Sequence, residues 1–171
     1  MTPALCLVVL GQTSIVAGAE VFGEYFPRSS AGVPMEPDVP QQSVLTGGRL
    51  SIGHQPLPSL RLLGLFEAGY AAAGMRAGFG NDGFMVGSGF ECDWVPHRWL
   101  LPFARLTYDA RIAHWASGPN GTLADFAVAL AAGARVLRFL DVHVIVGRDF
   151  AGGWSLGCGV GLGWSWAMES P

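Results

Sequence analysis

The chain has 171 residues, enough for one domain, and half of them are hydrophobic while only 13% are charged. Because soluble domains carry about 25% charged residues, this composition does not favour a well-solvated globular surface. All ten basic residues are Arg, which excludes chemistry that needs a Lys amine, such as Schiff-base formation. A net charge of −3 without a basic cluster argues against nucleic acid as a partner.

The amino terminus has the pattern of an export signal. An apolar run covers residues 4–10, and Ala17-Gly18-Ala19 supplies the small residues that signal peptidase requires. We therefore expect residues 1–19 to be a signal peptide and residues 20–171 to form a single barrel domain. The usual positive charge before the apolar run is missing, so it is an open question whether Met1 is the true start. A first buried strand or a short helix is the alternative.

Alternation with a period of two is strongest in the last segment, Trp154 to Met168. Every even position in it is apolar, and every odd position is Gly, Ser or Ala. A transmembrane helix would lose about 1 kcal/mol at each interior Gly, and the glycines would fall on all of its faces. The pattern therefore indicates a long, two-faced β-strand.

Seven further segments follow the same alternation with different clarity. The clear ones cover residues 62–71, 84–94, 101–115, 125–135 and 141–149, and the weaker ones cover 20–26 and 43–54. In the first weak segment Glu24 shares a face with Phe22 and Phe26, which makes its orientation ambiguous. The sequence predicts eight strands, with seven as the alternative.

The connections between these segments alternate in length. Short links are expected at 54–59, 95–99 and 137–140, and longer or Gly- and Pro-rich loops at 27–42, 74–83 and 116–122, with a tight fourth loop at 149–153. Short turns at one end and longer loops at the other are typical of an up-and-down meander that crosses a membrane. The Pro-rich loop 27–42 is the first choice for contact with an extracellular partner.

The predicted fold class is therefore all-β, an up-and-down antiparallel transmembrane β-barrel of eight strands. The apolar face meets membrane lipid, and the other face lines a lumen just wide enough for side chains. Opposite charges that pair in this lumen are tolerable and leave no open pore. The predicted lumen polar network consists of Glu67, Glu91, Asp93, Arg105, Asp109, Arg111, Asp125, Arg135, Asp141 and His143.

Tryptophans lie near the predicted strand ends, as in the girdles of membrane barrels. That Trp simply packs well in strands is the alternative explanation. The predicted aromatic girdle consists of Trp94, Trp99, Trp115, Trp154, Trp164 and Trp166. Cys92 and Cys158 fall among apolar positions, which favours free thiols over a disulfide.

A soluble lipocalin-like barrel that binds a small apolar ligand is the main alternative. Its aromatic side chains would point inward around the ligand. It would then have to solvate an outer surface made largely of Gly, Ala and Ser, with no charged side chain on the last strand.

Few residues suggest chemistry. His54 and His97 fall in predicted turns, and no clustered ligands indicate a metal site. Asp141 and His143 share a face and could orient a general base, but a hydrogen-bonded lumen pair explains them as well. His114 and Ser117 would lie on opposite faces of a strand, which does not favour a joint catalytic role. We therefore predict no catalytic residue and no cofactor.

The alternating segments and the ending Trp164-Ser165-Trp166 resemble the small bacterial outer-membrane β-barrel proteins of the OmpA-like and OmpX-like group. The resemblance covers roughly residues 20 to 168. It implies a location in the bacterial outer membrane and a structural or surface-interaction role. Some barrels of this group modify lipid A, and the His-x-Ser of the deacylase type is not matched by the residues from His114 to Ser117, so a lipid A-modifying barrel enzyme is the second alternative. The resemblance also implies recognition by the barrel-assembly machinery through the terminal aromatic residues, although Ala167 to Pro171 follow them here.

Overall fold

The computed structural model describes residues 14–29, 41–73, 81–96, 99–115, 122–149 and 154–168. These residues form eight strands: β1 Ser14–Ser29, β2 Gln41–Leu57, β3 Leu60–Ala73, β4 Asn81–Trp94, β5 Leu100–Trp115, β6 Thr122–Val136, β7 Leu140–Asp149 and β8 Trp154–Met168. The predicted strand number is confirmed. In this described part, no helix is long and apolar enough to cross a membrane.

The strands close into a barrel. Each strand pairs antiparallel with the next one, and β8 pairs antiparallel with β1. Because the barrel is closed, the backbone N–H and C=O groups of the first and last strands bond to each other, and no strand edge has to be hydrated. The predicted up-and-down antiparallel barrel is confirmed.

The two ends of the barrel differ. The end that holds the start of β1 and the last residues of β8 also carries the turns at 58–59 and 137–139, and we name it the turn end. β4 ends and β5 begins at the same end, and His97 between them lies outside the described residues. The opposite end, named the loop end, is where the connections 30–40, 74–80, 116–121 and 150–153 begin. Those four connections, and with them most of the predicted loop 27–42, lie outside the described residues.

The link expected at 54–59 is shorter than predicted. β2 continues to Leu57, and its register with β3 shifts between His54 and Leu57. Pro56 lies within this irregularity, where a residue without an N–H can be accommodated in a strand. The prediction that His54 lies in a turn is therefore wrong, because His54 is part of β2.

β1 is longer than the weak segment 20–26. It begins at Ser14, so its first residues fall within the range 1–19 that the sequence assigns to an export segment. There Ala17 pairs with Ile52 and Trp166, and Val16 is buried. Cleavage after Ala19 would remove this part of the sheet. The export segment itself stays a prediction.

The lumen holds apolar and charged side chains together. A small apolar cluster of Val16, Leu63 and Leu65 lies near the turn end. A second apolar cluster lies towards the loop end and consists of Phe22, Phe26, Leu45, Met85, Ala129, Ala131 and Ile145. Buried charged side chains lie beside these clusters, since Arg61 precedes Leu63 on β3 and Glu24 lies between Phe22 and Phe26 on β1. We name these charged side chains the charged layer, and they are the candidate functional site.

Candidate functional site in the lumen and on the barrel wall

The outer wall of the barrel is apolar. Phe90 and Val160 are 73% and 57% exposed, and many other large apolar side chains point outward with them. All acidic side chains that the structure describes lie on the lumen face instead. This arrangement is the reverse of a soluble barrel, which would place its charges outside.

The structure places eight of the predicted lumen residues in the interior. All eight side chains are buried, and they are Glu67, Glu91, Asp93, Arg105, Asp109, Arg135, Asp141 and His143. Arg111 and Asp125 face each other across β5 and β6 in the backbone register. Their side chains lie outside the described residues.

Arg49 on β2 is held by carboxylates from two neighbouring strands. Its Nε donates to Glu67 Oε2 at 2.7 Å, and its Nη1 donates to Glu20 Oε1 at 3.0 Å. The guanidinium also lies 4.4 Å from the centre of the Phe22 ring, within cation–π range. Each charge-assisted bond here is made away from water, where electrostatic interactions are stronger.

Glu91 on β4 joins the other two central arginines. Arg105 Nε donates to Glu91 Oε2 at 2.7 Å, and Arg135 Nη2 donates to Glu91 Oε1 at 2.9 Å. Arg135 Nη1 reaches Asp93 Oδ2 at 3.1 Å, and Phe103 lies beneath both guanidinium groups. The two oxygens of one carboxylate thus connect β5 to β6.

His143 closes a ring of interactions across the lumen. Its Nδ1 lies 2.6 Å from Asp141 Oδ1, and its Nε2 lies 3.1 Å from Glu24 Oε1. Asp141 accepts a bond from Arg105, and Glu24 lies 3.6 Å from Arg49. Glu20 lies near both arginines, so the ring runs through Arg49, Glu24, His143, Asp141, Arg105 and Glu20.

Glycines on β8 make room for this ring. The lumen face of β8 carries Gly159 and Gly161 at the level of the charged layer. A Cβ at Gly159 would lie 2.6 Å from His143 Cε1, and a Cβ at Gly161 would lie 2.9 Å from Glu20 Cδ. The alternation of Gly with large residues on β8 therefore leaves space on the inside for side chains from β1 and β7.

Sequence reasoning missed four buried charged residues. They are Glu20, Glu24, Arg49 and Arg61, all with lumen-facing side chains. On β1 the charges of Glu20 and Glu24 indicate a lumen face, but Phe22 and Phe26 on the same face indicate a lipid face. The alternating glycines of β8 are the signal that could have resolved this, because a lumen face without side chains leaves space for large side chains from the neighbouring strand β1.

The Asp141 and His143 pair is a part of the network rather than an exposed general base. Both imidazole nitrogens face carboxylate oxygens, and His143 is only 2% exposed. Among the described side chains, no group of three His, Cys, Asp or Glu residues could hold a metal ion. The geometry therefore pairs opposite charges across the lumen and links the inner faces of β1, β2, β4, β5 and β7.

Tryptophans lie near both ends of the outer wall. Trp94, Trp99, Trp164 and Trp166 are exposed near the turn end, and Trp154 is exposed near the loop end. At about 3.3 Å per residue and a tilt of about 40°, the strand between Trp154 and Trp166 rises about 30 Å along the barrel axis. A bilayer has a hydrocarbon core of about this thickness. The side chain of Trp115 lies outside the described residues.

The backbone is similar to that of known membrane barrels. It matches the outer membrane enzyme PagL with a TM-score of 0.63 at 14% identity, over 84% of this chain and 98% of that one. It matches the N-terminal β-barrel domain of OprF from Pseudomonas aeruginosa with a TM-score of 0.51 at 15% identity, over 87% and 97% of the two chains. The chain has the fold of the small outer-membrane β-barrels. No protein-family model and no curated protein sequence matches it.

The apolar outer wall agrees with the fold of a membrane barrel. A closed barrel with apolar side chains outside and its charges inside spans a membrane, and barrels of this type lie in bacterial outer membranes. In such barrels the short turns face the periplasm and the longer loops face the outside. The turn end of this outer-membrane barrel is therefore its periplasmic end.

Proposed function

We propose that this outer-membrane barrel is a rigid scaffold without an open pore, with a structural or surface-interaction role at its loop end. The observation that carries the proposal is the charged layer in the lumen. Arg49, Arg105 and Arg135 are buried there among carboxylates from β1, β3, β4 and β7. Buried apolar side chains such as Val16, Met85 and Leu101, each at most 1% exposed, occupy the same lumen.

Conductance tests the absence of a pore. We expect the purified barrel, inserted into planar phospholipid bilayers in potassium chloride, to give no stepwise current. Arg105→Ala combined with Glu91→Ala removes both partners of a central ion pair and is the matched variant that should admit ions. Stepwise current from the unaltered protein would contradict the plugged scaffold.

We propose that the Pro-rich loop 27–42 contacts an extracellular partner. Support comes from the position of residues 30–40 between β1 and β2 at the loop end, where the longer connections begin. Loops held by a rigid barrel are where recognition usually lies. A chain in which residues 30–40 are replaced by a short Gly-Ser turn should still assemble, but the cells that express it should lose binding of extracellular protein. An equal replacement of residues 116–121 is the control.

We propose a non-enzymatic role, although PagL is an outer membrane enzyme. The best candidate for a general base, His143, is enclosed by Asp141 and Glu24. We expect expression of the barrel, and of its His143→Ala variant, to leave the lipid A composition of the host membrane unchanged. Lipid A altered by the unaltered protein and not by the variant would overturn this role.

We also propose that the exposed tryptophans anchor the barrel in lipid and that Trp164-Ser165-Trp166 is presented to the barrel-assembly machinery. Both outer Trp side chains of this motif are more than half exposed near the turn end. Replacing both with Ala should slow assembly in cells while leaving refolding into detergent largely intact. Equal loss in both settings would show a folding defect and not a recognition signal.

A further inference from the structure

A groove runs over the outer wall between β2 and β6. Two adjoining depressions form it, and both are lined by Gly64, Phe90 and Leu106. Their volumes are about 760 and 560 Å³. The groove is therefore a concave site on the outer wall, bordered by protruding apolar side chains.

Small side chains form the floor of this groove. In the backbone register Ser88 lies between Phe66 and Tyr108, and Gly64 lies between Ile52 and Phe90. Nearer the turn end, Cys92 and Ala104 continue the floor. Phe90 is 73% exposed and lies between the two depressions. Its neighbour Gly64 lines both of them and has no side chain to separate them.

The groove has a polar group at its periplasmic end. His54 lines the depression nearer the turn end, and its side chain is exposed on the outer wall of β2. In the backbone register His54 pairs with Leu62, and Trp94 pairs with Leu60, two residues nearer the turn end on the same strand. His54 therefore lies close to the level of the Trp94 side chain. At this depth an imidazole can donate a hydrogen bond to a group at the membrane interface.

We propose that this groove holds one phospholipid of the periplasmic leaflet, with an acyl chain along Gly64 and the phosphate bound by His54. The chain fills a concavity that opens directly to hydrocarbon, so dispersion contacts are gained without loss of hydration. The phosphate offers the acceptor oxygens that the imidazole requires at the interface. The site lies on the opposite side of the barrel wall from the charged lumen and does not depend on the surface role proposed above.

A second copy of the barrel fits the groove less well. The acidic side chains that the structure describes all face the lumen, so the strands of a neighbouring barrel offer His54 no anionic partner among them. Between proteins in lipid there is also no hydrophobic driving force, because lipid tails are as apolar as the protein surface. A phospholipid supplies both the chain and the charge.

Gly64 permits a test that fills the groove without a steric clash at the backbone. A Cβ at Gly64 would have its nearest neighbour at 3.6 Å, the carbonyl oxygen of Ile52. Gly23 on β1 also faces outward, lies outside the groove and has no atom within 4 Å of an added Cβ. Gly64→Leu and Gly23→Leu are therefore a matched pair.

The experiment is native mass spectrometry of the barrel refolded with phosphatidylethanolamine vesicles and released into mild detergent. We expect one retained phospholipid per barrel for the unaltered protein and for Gly23→Leu. Retention should fall about tenfold in Gly64→Leu, the loss that corresponds to 1.4 kcal/mol, and should also fall in His54→Gln. No retained lipid, equal retention in the two leucine variants, or a dimer that Gly64→Leu dissociates would overturn the proposal.

Two native cysteines provide a second measurement that requires no change to the groove. Cys92 and Cys158 are both free and exposed on the outer wall, and only Cys92 lines this groove. The third cysteine of the sequence, Cys6, lies in the predicted export segment and is replaced by Ser. In this chain we measure the reaction of Cys92 and Cys158 with an uncharged maleimide as phosphatidylethanolamine is added to the protein in detergent. The ratio of Cys92 to Cys158 modification should fall several-fold. An unchanged ratio would count against the site even if Gly64→Leu did not fold.

Discussion

Gly159 on β8 lies directly opposite His143 on β7, and the imidazole occupies the space that a side chain at position 159 would need. An added Cβ would lie 2.6 Å from His143 Cε1 and 2.8 Å from Glu24 Cγ. The absence of a side chain at position 159 therefore allows His143 to reach Glu24 on β1 across the inner face of β8.

Gly159→Ala should destabilise the barrel by about 1 to 3 kcal/mol, because the methyl group displaces two members of a packed network. Urea unfolding of the protein refolded into phospholipid bilayers measures this change. Gly23→Ala, on the outer face with open space around it, should change stability by less than about 0.5 kcal/mol.

A double variant separates the collision with His143 from a general intolerance of β8 to side chains. His143→Ala opens the space above position 159, so the cost of Gly159→Ala should be smaller in that background, a coupling that a double-mutant cycle reports. Strictly additive costs would mean that the imidazole is not what excludes a side chain at position 159.

Arg105→Met should cost about 3 to 5 kcal/mol of unfolding free energy. It removes the positive charge that Glu91 and Asp141 share and leaves both carboxylates buried. Arg148→Met on the outer wall is the matched control, because Arg148 is exposed and lies 5.0 Å from the Trp154 ring. A contact of that kind contributes about 0.5 to 1 kcal/mol. Similar costs for the two variants would contradict a cooperative lumen network.

The strands and their number could be predicted because each strand separates a lipid face from a lumen face. That physical requirement leaves a period of two in the sequence, strongest on β8 where Gly alternates with large apolar residues. The lumen positions of Glu91, Arg105 and Asp141 follow from the same alternation, since their neighbours on either side are apolar and face outward.

The inner partners could not be predicted because they depend on register between strands. Glu24 reaches His143 only because β1 and β7 both flank the bare face of β8, which closes the barrel. Phe22 and Phe26 share the lumen face with Glu24, so the hydrophobic pattern of β1 carries no distinction between inside and outside. His54 was assigned to a turn because of the two prolines that follow it, and the bulge at Pro56 lets the strand continue.

Leu137→Asn should stabilise the barrel by about 0.5 to 1 kcal/mol. Leu137 and Arg138 have φ angles of 52° and 66°, and Phe139 N donates to Val136 O at 3.2 Å across this turn. Positive φ at both central positions defines the hairpin turn that favours Asn and Gly, because the Cβ of other residues lies too close to the following carbonyl oxygen at such a φ, while Gly lacks a Cβ and the Asn side chain can hydrogen-bond locally. Urea unfolding in bilayers measures the gain. Leu57→Asn, which is exposed near another turn at the same end, should show no gain.

Val160→Arg tests which face of β8 meets lipid. Val160 lies midway between Trp154 and Trp166 on β8 and pairs with Gly23 and Val142, and its side chain is 57% exposed on the outer wall. An arginine at the middle of the bilayer costs about 2 to 4 kcal/mol, whereas near the interface the cost falls to about 0 to 1 kcal/mol. We therefore expect Val160→Arg to lose most of its assembled fraction and Trp166→Arg to lose little. Heat-modifiable migration on a gel after refolding reports that fraction, and tolerance of arginine at 160 would reverse the assignment of inside and outside.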